Sequence, residues 1–115
     1  MPSLSIEGLF ESAALIFLFK DNAISLTFSQ DGIHIRFPTT RRLAEFLEVP
    51  HYYILPYFAM MEEQELVTRA ERVGILTTKK GTTKLISIMQ DLHPDESSSL
   101  LGSGIFEEIL RMTKQ

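Results

Sequence analysis

The side chains best able to do chemistry in this sequence are thinly spread. Its three histidines, His34, His51 and His93, are scattered, with no HxxxH or His–carboxylate spacing of the kind a metal ion needs. There is no cysteine, which excludes disulfides, thiolate metal ligands and a thiol nucleophile. Glu62-Glu63 and Glu107-Glu108 are acidic pairs on helical patterns, but neighbouring residues on a helix do not face each other, so neither makes an acid–base pair. No glycine loop that could cradle phosphate and no nucleophile elbow is present. The chemistry points away from an enzyme and calls for no metal and no cofactor.

The remaining candidates are cations. Lys and Arg total 11 against 15 Asp and Glu, a formal net charge of −4. The balance is uneven along the chain. Residues 1–33 hold one base against four acids, residues 34–84 eight bases against six acids, and residues 85–115 two bases against five acids. The central excess comprises Arg36, Arg41, Arg42, Arg69, Arg72, Lys79, Lys80 and Lys84. It fits contact with a polyanion, although nucleic-acid binders usually carry a stronger excess. On charge alone a solvated, mixed surface is the preferred reading.

The elements that must position these groups belong to one domain. At 115 residues and 44% hydrophobic, residues 1–115 can bury a single core. The longest apolar run, residues 13–19, is far short of the roughly 20 residues that cross a bilayer. No basic segment precedes it as in a signal peptide, so a soluble, cytoplasmic domain is expected.

Residues 3–19 place Ile6, Leu9, Phe10, Ala13 and Phe17 at helical spacing, with Ser5 as a cap. The stretch 15–19 is apolar all round and fits a buried helix end or a buried strand; helix is the preferred reading. Residues 23–37 then alternate, with Ile24, Leu26 and Phe28 before Gln30-Asp31-Gly32 and Ile33, Ile35 and Phe37 after it. This predicts a β-hairpin with His34 and Arg36 on the face away from the apolar set. Thr39 or Thr40 caps a helix using Leu43, Phe46 and Leu47, which Pro50 ends. Ile54, Phe58 and Met61 mark a second helix. Pro56 suits its first position, with the preceding HYYI as an extended turn. Leu66-Val67 and residues 74–77 read as strand, Lys79-Lys80-Gly81 as a turn, and residues 82–89 (TTKLISIM) as a further strand. Residues 93–104 are rich in turn formers and read as a loop or hinge. Residues about 103–113 form an amphipathic C-terminal helix on which a second copy could pair.

Two short helices at a tight break, followed by a hairpin, give the order of a winged helix-turn-helix. Residues about 39–89 resemble that module in transcription regulators of the MarR and ArsR kind, through Leu43-Ala44, Val49, Ile54, Glu62-Glu63 and Leu66-Val67 without a gap. The resemblance implies an α+β winged helix-turn-helix fold. To it this chain adds an N-terminal helix, an extra β-hairpin and a C-terminal helix, and a homodimer is expected. It also implies a DNA-binding transcription regulator. Its duplex contacts would be Arg41, Arg42, His51, Tyr52, Arg69, Arg72 and the wing lysines Lys79, Lys80 and Lys84.

The second helix departs from that implication. Its outward positions are His51, Tyr52, Leu55, Pro56, Ala59 and Met60, where a groove reader presents polar and basic residues. The alternative is a winged helix that docks a protein through His51, Tyr52, Leu55, Tyr57 and Met60. Tyr52, Tyr53 and Tyr57 could also simply fill the edge of the core.

Overall fold

A computed structural model describes residues 4–113 of the chain. It is a mixed α+β structure in which the described residues form six α-helices and two small antiparallel hairpins. Helix α1 spans Ile6–Leu15 and continues as a π-helical turn over Ile16–Asp21. Ser5 caps α1 by accepting from the Gly8 N–H at 2.9 Å. Residues 15–19 are therefore helical, and Asn22 ends the segment in the left-handed region at φ 48°.

The first hairpin pairs β1 (Leu26–Ser29) with β2 (Gly32–Ile35) in the register Leu26 to Ile35 and Ser29 to Gly32. A two-residue turn, Gln30-Asp31, joins them, and Gly32 takes φ 124°, a conformation that side chains disfavour. Ile33 and Ile35 are buried while His34 and Arg36 lie on the more open side. The outer edge of β2 meets side chains instead of a third strand. The Ile35 N–H donates to Thr77 Oγ1 at 2.8 Å, and the Thr82 hydroxyl donates to the Ile33 carbonyl at 2.6 Å. The two hydroxyls lie 2.6 Å apart, both buried. With both ends of this chain fixed, the Thr77 hydroxyl must donate to Thr82.

Helix α2 (Thr40–Leu47) is capped by Thr39, whose hydroxyl accepts from the Arg42 N–H at 3.0 Å. It ends at Glu48 in the left-handed region, two residues before Pro50. Residues His51–Tyr53 form a single 3-10 turn, tighter than the extended segment expected. Helix α3 (Leu55–Glu63) then begins with Pro56 in its first turn, where the missing N–H costs no hydrogen bond. Strands β3 (Val67–Ala70) and β4 (Gly74–Thr77) follow as the second hairpin, with Arg72 at its tip in the left-handed region at φ 68°. A bridge from Arg36 to Leu76 ties it to the end of β2.

The core runs from α1 through α2 and α3 to the C-terminal helices. Leu9, Phe10, Leu43, Ile54, Phe58 and Met61 are inaccessible or nearly so, with Leu66 buried and Phe46 half-buried against them. Phe37, just beyond β2, lies 5.1 Å from Phe10 and 5.9 Å, edge-on, from Phe58, joining α1 to α3 through one aromatic row.

Two expectations are overturned. Residues 79–81 are no hairpin tip and residues 82–89 no strand: Lys79–Leu92 is helix α4. The Thr78 hydroxyl accepts from the Gly81 N–H at 3.1 Å to cap it. Thr82, Leu85, Ile86 and Met89 then share a buried face at i, i+3, i+4 and i+7. Gly81 serves close packing rather than turning, since a Cβ there would meet the Leu66 carbonyl oxygen at 1.9 Å. Residues 93–104 are mostly helix as well. Helix α5 (Pro94–Leu101) starts on proline, holds Asp95 and Glu96 in its first turn and ends at Gly102 with φ 85°. Helix α6 (Ser103–Thr113) closes the structure over α4 and α5, with Phe106 and Ile109 buried.

Candidate functional site

The 3-10 turn and α3 bring several of the expected site residues to the surface. Phe58 and Met61 point α3 into the core, which turns Leu55, Pro56, Ala59 and Met60 outward by helical geometry. Leu55 is 44% and Met60 43% exposed. The 3-10 turn extends this face with Tyr52 at 64% and Tyr53 at 47%, their rings edge-to-face at 4.7 Å. Tyr53 was absent from the expected docking set; the signal for it was its place beside Tyr52 in a turn too short to bury both rings.

Two of the expected contacts play other parts. His51 is half-buried and its Nε2 hydrogen-bonds Thr40 Oγ1 at 2.6 Å, locking the turn against the start of α2. Tyr57 is half-buried and packs on the core rather than standing free.

The expected cations are spread over α2, the second hairpin and α4. Lys79, Lys80 and Lys84 sit on α4, so the second hairpin carries no lysine at its tip. Lys84 pairs with Glu7 and lies 5.8 Å over the Phe10 ring, which binds α4 to α1. Lys80 Nζ donates to the Gln64 carbonyl at 3.1 Å. Arg42 pairs with Asp21, and Arg69 Nε donates to Glu62 at 3.1 Å. Arg41, Arg72 and Lys79 are exposed and form no ion pair among the described residues. A recess of about 410 Å³ beside α2 is lined by Lys20, Arg42, Glu45, Phe46 and Glu48, mixing both signs rather than favouring an anion.

Comparison with known proteins adds no assignment. No family model, curated protein or solved structure matches this chain. Among the described residues, no three His, Asp or Glu side chains come together as metal ligands, and no helix is long and apolar enough to cross a membrane. The sequence around α3 supplies the last feature of the site. Between residues 43 and 68 there is no lysine or arginine, against five glutamates: Glu45, Glu48, Glu62, Glu63 and Glu65.

Proposed function

We propose that residues 40–77 are a winged-helix-like module, akin to that of MarR- and ArsR-type regulators, which serves here to dock a protein partner through the 3-10 turn and α3. The order of elements supports the architecture: two short helices across a tight break, an antiparallel hairpin, and a strand before them bridged to that hairpin. The observation that carries the docking role is chemical. The helix that would read a groove presents Tyr52, Tyr53, Leu55 and Met60, flanked by glutamate and devoid of lysine and arginine. Such a face gains by burial against protein and is repelled by phosphate.

Duplex DNA binding, with a role in transcription regulation, is the second reading. The exposed, unpaired Arg41, Arg72 and Lys79 favour it, through phosphate contacts that weaken as salt rises.

Affinity capture with the wild-type chain and with Tyr52→Asp, followed by titration of the purified captured protein, separates the readings. Docking predicts a partner whose affinity falls at least about tenfold with Tyr52→Asp while the circular dichroism is unchanged. Salt-dependent binding of random duplex DNA at micromolar protein, lost on charge reversal of Arg41 and Arg72, would install the second reading in its place.

A further inference from the structure

We propose that a second copy of this chain adds to the free edge of β1, antiparallel and about a two-fold axis at Thr27, so that two hairpins make one continuous sheet. The contact lies on a different surface from α3 and stands whether or not that helix docks a protein.

The free edge follows from the parity of the first hairpin. The Arg36 N–H donates to the Ser25 carbonyl at 3.0 Å, so Ser25, and with it Thr27 and Ser29, turn their backbone groups towards β2. Leu26 and Phe28 therefore turn theirs outward, where they meet no partner among the described residues. The outward side of β2 is engaged instead, by Thr77, by Thr82 and, just beyond the strand, by the Ile75 carbonyl, which accepts from the Phe37 N–H at 2.8 Å.

Strand edges open to water are ordinarily guarded by charge, proline or a bulge. The second hairpin is guarded, with Arg69 on β3 and Glu71 and Arg72 following it. Residues 23–30 contain neither a charged side chain nor a proline, and β1 pairs with β2 residue for residue, without a bulge. Phe28 is 63% exposed, yet it stands opposite Ile33, which is buried, and so belongs to the core side of the sheet. The apolar face thus runs to the edge of β1 and stops there uncovered.

The edge is complementary to itself. With Thr27 on the axis, Leu26 of one copy lies opposite Phe28 of the other, and their outward N–H and C=O groups exchange hydrogen bonds in both directions. Directly opposed residues share a face, so each Phe28 ring gains the second copy's Leu26 beside it. On the other face the two Thr27 side chains meet at the axis. Since the strand carries no charge, self-pairing sets no like charges together.

The test is sedimentation velocity of the full chain from about 5 µM to about 500 µM, a range suited to a short, weak interface. The wild-type chain should pass from monomer to dimer. Over the same range, amide exchange at Leu26 and Phe28 should slow at least about threefold, a readout that needs no substitution. Thr27→Lys and Thr27→Asp should each weaken self-association at least about tenfold at about 50 mM salt with circular dichroism unchanged, and an equimolar mixture of the two should restore it. A wild-type chain that stays monomeric throughout overturns the proposal. So does a dimer that both Thr27 variants still form, or one in which exchange at Leu26 and Phe28 does not change. A dimer lost with Tyr52→Asp but kept with Thr27→Lys places the contact on α3 and overturns it too.

Discussion

The buried hydroxyl chain from Ile35 through Thr77 and Thr82 to Ile33 makes a quantitative prediction about coupling. Thr77→Val keeps the side-chain volume, so no cavity term enters, but it strips the Ile35 N–H of its acceptor. Thr82 still donates to Ile33, so one buried group is orphaned, at about 1–3 kcal/mol. Thr82→Val orphans two: the Ile33 carbonyl loses its donor and the Thr77 hydroxyl its acceptor. The double variant also orphans two, the Ile35 N–H and the Ile33 carbonyl. The singles together therefore count one orphan more than the double. The double-mutant cycle should return a coupling of about one buried hydrogen bond, roughly 1–3 kcal/mol, with the double variant less destabilised than the sum. Urea unfolding of the four proteins, with unchanged m-values, measures this directly. Additivity to within about 0.5 kcal/mol would show that the hydroxyls do not act as one relay.

Two further substitutions test the contacts around the second hairpin and α2. Gly81→Ala should destabilise the fold by about 1–3 kcal/mol or more in thermal or urea melts, although alanine is the better helix former by about 1 kcal/mol, because its Cβ would strike the Leu66 carbonyl. A stabilised G81A would place α4 elsewhere. Asp21→Asn removes an ion pair with Arg42 that is two-fifths exposed on both sides, so unfolding should change by less than about 1 kcal/mol.

The parts of the fold legible in the sequence were those with one physical solution. The first hairpin had strict alternation and a glycine at a position that now shows φ 124°. The break between α2 and α3 had two prolines whose missing N–H groups allow few alternatives. Residues 82–89 had two solutions. Thr82, Thr83, Ile86 and Ile88 are β-branched and suit a strand, yet the same stretch also satisfies a buried helical face. Tertiary contact decided it: the Thr78 N–H donates to the Leu66 carbonyl at 3.0 Å and Gly81 packs on the same group, which sets the first turn of α4 against the start of β3. Residues 93–104 misled by composition, because the proline, acids and glycine that punctuate loops also start and stop helices. At the site, the cations were visible but their partners were not. Asp21, Glu7 and Glu62 come to Arg42, Lys84 and Arg69 across 21, 77 and 7 positions of chain respectively, which no local pattern encodes.

The apolar face of α3 is not something the fold itself demands. Helix α2 is of similar length and packs into the same core through Leu43, Ala44 and Leu47, yet its outward positions are Arg41, Glu45 and Glu48. A surface like that would satisfy α3 as well, since Ile54, Tyr57, Phe58 and Met61 are the ones that meet the core. Instead α3 is apolar on both sides, a pattern that belongs to a helix buried on both sides. Each large apolar side chain left in water forgoes roughly 1.5–3 kcal/mol of transfer free energy available on burial. Four of them, Tyr52, Tyr53, Leu55 and Met60, lie exposed within nine residues along the 3-10 turn and α3. The free energy left ungained on this segment is available to a partner that covers it, on a helix seated against α1 and β3.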